Sequence, residues 1–300
     1  MRGLRRRRPW LWRALVGSTL VALSFGALFG ILFANVVASA QPHKLGSASL
    51  AMDRHITVYP PAGYDPASAR HYPTLYSLDG QSFRHRELPV IWARILAFAG
   101  LTPPMFIVAI DNEGTRAIDF RAPVSKPMYS RPPIVGRDGR FTGFIKSELI
   151  PFVERHYRVS AYRIISGHSL GGMYAVDRLS RSPGLFQAHF AYSPSFLQDQ
   201  DSINRLRLTA RRPFAEPTIL YMNLGEENAL YRAAFQQAAA GLAHVGSAQG
   251  LDWQAERLRG MMHPVMMIPG QMRAMLFLGH RANSCALVAA GDPARRACYR

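Results

Sequence analysis

Gly167-His168-Ser169-Leu170-Gly171 sets a serine between two glycines, with Gly172 directly after. A G-x-S-x-G sequence does chemistry only where the serine hydroxyl is pushed out of a tight strand-to-helix turn. The flanking residues meet that condition: Tyr162 to Ser166 reads as a short strand and Ser169 to Leu179 as a helix. Glycines at 167 and 171 let the turn and the helix approach where a Cβ would collide. The helix N-terminus adds a field that favours a developing oxyanion. Ser169 is therefore the expected nucleophile.

A serine hydroxyl is a weak nucleophile until a base takes its proton. On this kind of turn the chain order is nucleophile, acid, histidine, and His189, His244, His263 and His280 follow Ser169. His189 just precedes an expected strand and His244 follows an alanine-rich helix end, both ordinary surface positions; His280 falls in the basic tail past the last core helix. His263 stands between the strand Leu251–Leu258 and a helix beginning near Pro264, at a strand end from which it can reach Ser169. It is the expected base. The acid should follow the strand Ile219 to Leu224, where Gly225-Glu226-Glu227-Asn228 offers two carboxylates. Glu227 is slightly preferred over Glu226, and both also fit as capping charges at a helix start. An oxyanion hole needs two aimed N–H groups. Leu170 supplies one by position, and Gln81 in the turn Leu78-Asp79-Gly80-Gln81 is the expected second donor.

The elements that position these groups alternate along the chain. Strands are expected at Ile56–Tyr59, Thr74–Leu78, Met105–Ile110, Tyr162–Ser166, Phe190–Tyr192, Ile219–Leu224 and Leu251–Leu258. Helices are expected at about Pro89–Phe98, Phe141–Tyr157, Ser169–Leu179, 229–243 and 265–278, with a long loop over 112–140. Alternation of this kind implies an α/β-hydrolase type of fold, with a mostly parallel sheet, helices on both faces and the site at the C-terminal strand ends. Residues 41–48 read as a linker, 49–280 as the hydrolase domain and 281–300 as a tail. Cys285 and Cys298 could close a loop of that tail, worth about 3 kcal/mol in an oxidising compartment.

The leader is different material. Arg2, Arg5, Arg6, Arg7, Arg8 and Arg13 precede an uncharged run from Ala14 to Ala40 that ends in Ala38-Ser39-Ala40. This describes a secretory signal peptide or, given its length, a membrane anchor, and either puts the rest of the chain in the periplasm or otherwise outside the cytoplasm. The net charge is +17, and +11 remains for residues 41–300. The basic residues are scattered and match no nucleic-acid-binding signature, so an anionic small-molecule substrate fits better than nucleic acid. A membrane would be met only through an uncleaved leader. No P-loop, dinucleotide fingerprint or H-E-x-x-H motif occurs, and no cofactor or metal is expected.

At these residues the chain resembles the Putative esterase family, which includes esterase D, feruloyl esterases, mycolyltransferase antigens and trilactone siderophore esterases. The resemblance runs from about Leu50 to Leu278. Its marks are Tyr72-Pro-Thr-Leu-Tyr-Ser-Leu-Asp-Gly80, Glu148-Leu-Ile-Pro-Phe152, Arg163-Ile-Ile-Ser-Gly-His-Ser-Leu-Gly-Gly172, and His263 before the last helix. The branch with periplasmic siderophore esterases is the most similar. It implies a substrate-contacting arginine after the third strand, matched by Arg116 or Arg121. It also implies an acid at the position of Asn228, so a neighbouring glutamate substitutes or a Ser-His dyad operates. The leading expectation is hydrolysis of a small carboxylic ester, such as an acidic siderophore lactone, through an acyl-enzyme. The alternatives are acyl transfer from the same intermediate and non-catalytic binding of acidic ligands.

Overall fold

Strands covered by helices on both faces must be apolar along their whole length, whereas edge strands need not be. The computed structural model describes residues 9–123, 135–199, 201–243 and 250–282. It divides into residues 1–39 and 40–300. In the first unit the apolar run forms one helix, α1 (Pro9–Ala38). Ser18, Thr19, Ser24 and Asn35 stand among its apolar residues. Among the described residues no helix is long and apolar enough to cross a membrane.

In the second unit, eight strands among the described residues form one sheet. They are β1 (Gln41–Ser47), β2 (Met52–Tyr59), β3 (Tyr72–Ser77), β4 (Phe106–Ile110), β5 (Val159–His168), β6 (Ala188–Tyr192), β7 (Thr218–Glu226) and β8 (Leu251–Met262). Their order is β1-β2-β4-β3-β5-β6-β7-β8. The first two pairings are antiparallel and all others parallel, the α/β-hydrolase arrangement. β3, β4 and β6 are buried throughout, as the uninterrupted apolar run of β4 anticipates for that strand.

The helices are α2 (Phe83–Phe98), α3 (Arg116–Asp119), α4 (Asp138–Phe144), α5 (Ile150–His156), α6 (Leu170–Arg181), α7 (Asp201–Ala210), α8 (Ala229–Leu242) and α9 (Met267–Ala282). α2 packs against α9, and α6 lies on β5 and β6 and against α7. Phe120, Phe141, Phe144 and Tyr174 form an aromatic cluster in the core.

Several sequence expectations change. Residues 41–47, read as a linker, are an edge strand that pairs with β2 from Gln41 opposite Val58 to Ser47 opposite Met52. Pairing with an apolar neighbour overrides the weak propensity of a segment containing Pro42 and Gly46, and an edge tolerates the proline. α2 begins six residues before Pro89, which lies inside it. The helix expected over 141–157 contains a π-helical stretch, Ile145–Leu149. Pro151 lacks an N–H for the carbonyl one turn back, which disfavours a regular α register there. His280 lies on α9 rather than beyond it. Cys285, Cys298 and His244 lie outside the described residues.

Candidate active site

β5 ends at His168 and α6 begins at Leu170, so Ser169 alone makes the turn, at φ 58° and ψ −116°. A non-glycine residue at positive φ is strained and must be held. Here the Ser169 N–H donates to the Tyr192 carbonyl at 2.8 Å, and its carbonyl accepts from Met173 N–H at 3.0 Å. A Cβ at position 167 would overlap the Gly171 backbone, so this crossing requires glycine. As the first residue of α6, Leu170 has an N–H without an intrahelical acceptor.

The facing turn is built with similar care. Asp79 sits at φ 62° and donates its N–H to Oδ1 of Asn112 at 3.2 Å. Gly80 donates to the Ile110 carbonyl at 2.7 Å, so close that a Cβ there would lie 2.9 Å from the Ala109 carbonyl carbon. The Gln81 side chain folds back and accepts from Asn112 N–H at 3.1 Å, leaving its backbone at the turn. Asn112 is fully buried and also donates to Asp119 at 3.2 Å. Arg54 and Arg137 each donate to Asp119 at 2.9 Å, which ties the turn to a buried ion cluster.

Arg116 donates through Nε to Asp79 at 2.8 Å and through Nη2 to the His168 carbonyl at 2.9 Å. It thereby ties the turn of Asp79 to the end of β5. Burial raises the Asp79 acid, and Arg116 offsets part of that rise. Arg121, the other candidate substrate arginine, donates to the Gln198 side chain at 2.6 Å.

His263 follows β8, and its Nδ1 is hydrogen-bonded to Oε1 of Glu227, which follows β7. Glu226 points elsewhere: it accepts from Gly260 N–H at 3.1 Å and pairs with Arg257. Asn228 caps α8, with Oδ1 accepting from Leu230 and Tyr231 N–H at 3.0 and 3.1 Å. His168 packs against His263, ring centroids 4.6 Å apart, and donates from Nε2 to the His263 carbonyl at 2.9 Å. Burial, reinforced by the neighbouring His263 and His85, pushes the His168 pKa down to about 3, so the ring is neutral near pH 7. Arg84 bonds the Pro264 carbonyl, fixing the same turn from α2.

The geometry thus brings Ser169, the Glu227–His263 pair and the Gln81 turn to the C-terminal end of the sheet, and leaves Glu226 out. Among the described residues the Ser169 hydroxyl bonds Ser195 at 2.9 Å rather than His263. Catalytic hydrogen bonds of substrate-free sites often tighten only on binding. His189, read as a surface residue, lies inside β6 and is buried, with Nδ1 2.8 Å from the Ala175 carbonyl. Its place in the middle of a strand covered on both faces explains the difference. Asn112 and Ser195 carry no motif and were not legible as site residues. Among the described residues no group of three or more His, Cys, Asp or Glu side chains could hold a metal ion.

A family model described as Putative esterase matches residues 47–254. The ferri-bacillibactin esterase BesA of Bacillus subtilis is 32% identical over 160 residues, 47% of this chain and 53% of that protein. The apo-salmochelin esterase of Escherichia coli is 26% identical over 175 residues, 53% of this chain and 52% of that protein. The chain therefore spans about half the length of the curated relatives it matches. An IroE-like serine hydrolase from Shewanella oneidensis shares the fold with a TM-score of 0.71 at 23% identity, over 80% of each chain.

Proposed function

The chain belongs to the Putative esterase family, and on that premise we propose that it is a serine carboxylic-ester hydrolase acting on a siderophore ester. The observation that carries the reading is the strained Ser169 turn standing at the same sheet end as a histidine whose Nδ1 is held by a carboxylate.

Ser169 Oγ attacks the ester carbonyl while its proton passes to Nε2 of His263. Glu227 holds the opposite nitrogen, fixes the tautomer and stabilises the imidazolium. The carbonyl oxygen becomes an oxyanion facing the N–H groups of Leu170 and Gln81. Collapse expels the alcohol, which takes the proton from His263 and leaves an acyl-enzyme on Ser169. Water, deprotonated by His263, then attacks the acyl carbon, and Ser169 leaves with its proton restored.

Two relatives are named for siderophore esters, ferri-bacillibactin and salmochelin, which supports that substrate class. The basic charge of residues 41–300 supports an anionic substrate. The Arg116 side chain is 35% exposed with Nε and Nη2 already engaged, so Nη1 is the group offered to such a substrate. The arginine-rich leader ending in Ala38-Ser39-Ala40 supports export. The test is hydrolysis of a catecholate trilactone beside p-nitrophenyl butyrate, with the full chain and with Ser169→Ala. The reading expects turnover of both esters, a higher kcat/KM for the trilactone, and loss of about a thousandfold or more in the variant. Equal activity of wild type and variant would refute it. Turnover of the simple ester alone would refute the siderophore assignment.

A further inference from the structure

Ser195 lies in the turn after β6, is 3% exposed, and takes part in no step described above. Its Oγ is 2.9 Å from Oγ of Ser169. The backbone imposes this pairing. Ser195 N–H donates to the Ser169 carbonyl at 3.0 Å, while Ser169 N–H donates to the Tyr192 carbonyl at 2.8 Å. The residue two positions earlier is fixed as well: Ser193, at φ 41°, donates to the Asn223 carbonyl at 2.9 Å. Its Oγ accepts from Gly225 N–H at 3.2 Å, on the strand that leads to Glu227. A buried hydroxyl needs a partner, and backbone carbonyls usually supply it. Here the partner is the reacting atom.

We propose that Ser195 is a catalytic residue that donates a hydrogen bond to Oγ of Ser169 while that oxygen carries negative charge. The inference rests on the serine-hydrolase reading. In acylation the Ser169 O–H bond breaks toward His263, the Oγ–carbon bond forms, and the carbonyl π pair moves onto the oxyanion. Once its proton is committed to His263, Ser169 can only accept from its neighbour, which makes Ser195 the donor. In deacylation the carbon–Oγ bond breaks, and Oγ departs with the electron pair before taking the proton from His263. The same donated bond stabilises the departing oxygen. Ser195 keeps its own proton throughout, so the proton and charge balance closes without it.

The experiment is stopped-flow hydrolysis of p-nitrophenyl butyrate by full-chain wild type, Ser195→Ala, Ser195→Cys and Ser169→Ala, reading the burst rate, the steady-state rate, KM and the melting temperature. A hydrogen bond to a charged group is expected to be worth about ten- to hundredfold in rate. Ser195→Ala should lose about that factor in both acylation and deacylation, with substrate binding and melting temperature little changed. Ser195→Cys, a weaker donor of similar size, should fall between the two. Rates of Ser195→Ala within about twofold of wild type would overturn the inference. So would equal losses in Ala and Cys that track the fall in melting temperature, since that is a packing effect. Should Ser195→Ala fail to fold, Ser195→Cys against wild type decides on the same criteria. A wild type without turnover, or turnover that survives Ser169→Ala unchanged, overturns the hydrolase reading itself. A burst lost in Ser169→Ala and retained in full by Ser195→Ala overturns the role of Ser195 alone.

Discussion

Replacing His189 with Gln should cost less stability at pH 5 than at pH 7, by an amount that follows from where the ring sits. His189 is 1% exposed inside β6, with Nδ1 2.8 Å from the Ala175 carbonyl and Nε2 3.3 Å from that of Phe186. A neutral ring has one N–H and can donate to one of these carbonyls, whereas an imidazolium could donate to both. Burial pulls the other way and dominates, lowering the pKa from the ordinary 6.5 to about 4. As pH falls through 6.5 the unfolded chain gains a proton there, and the folded protein does not until about 4. Stability is therefore lost on acidification, at about 1.4 kcal/mol per pH unit once below 6.5, or about 2 kcal/mol between pH 7 and pH 5. Gln does not titrate, and the packing defect it leaves is the same at both pH values. The other ionisable groups, shared by both proteins, cancel. Urea unfolding of wild type and His189→Gln at the two pH values reads the difference directly. The destabilisation seen at pH 7 should shrink by about 2 kcal/mol at pH 5. A gap that widens on acidification would mean that the two carbonyls hold the proton and that the burial argument fails.

Three further outcomes follow from the site. Gly167→Ala puts a Cβ into the Gly171 backbone; a loss of about 2 kcal/mol or more and collapse of activity are expected in thermal melts and ester assays. Asn228→Ala should cost about 1 kcal/mol through the lost α8 cap and leave kcat unchanged, whereas Glu227→Gln should lower kcat by about a hundredfold or more with little change in melting temperature. Steady-state kinetics on this pair, with Glu226→Gln as control, separates the three neighbouring residues. Arg116→Met leaves the buried Asp79 without its cation; thermal melts should show a loss of about 1–3 kcal/mol, partly recovered when Asp79→Asn is added.

The fold was legible wherever a strand is apolar along its length or a helix follows a turn with a single steric solution. The runs at 106–110 and 219–224 and the Gly167–Gly172 turn all read correctly because local sequence and burial agree. β1 did not, since Gln41, Pro42, His43 and Lys44 have no strand propensity of their own and extend only by pairing with β2. His263 was legible as a candidate from chain order, and its Nδ1 meets Glu227. Glu227 and Glu226 are chemically identical in sequence; they differ only because β7 ends between them, turning one toward His263 and the other toward Gly260. Arg116 stood out as a charge in a loop. Its engagement with Asp79 and the His168 carbonyl depends on the crossing of three segments distant in sequence. Ser195 and Asn112 act through positions set by neighbouring strands, and no local pattern marks them.

The central claim is that Ser169 Oγ is the atom that becomes covalently modified. A fluorophosphonate added to the full chain, followed by proteolysis and mass spectrometry, tests it directly. The account predicts one adduct, on the peptide containing Ser169, absent in Ser169→Ala and formed about a hundredfold or more slowly in His263→Ala. An adduct on another residue, or labelling of Ser169→Ala at the wild-type rate, would contradict it.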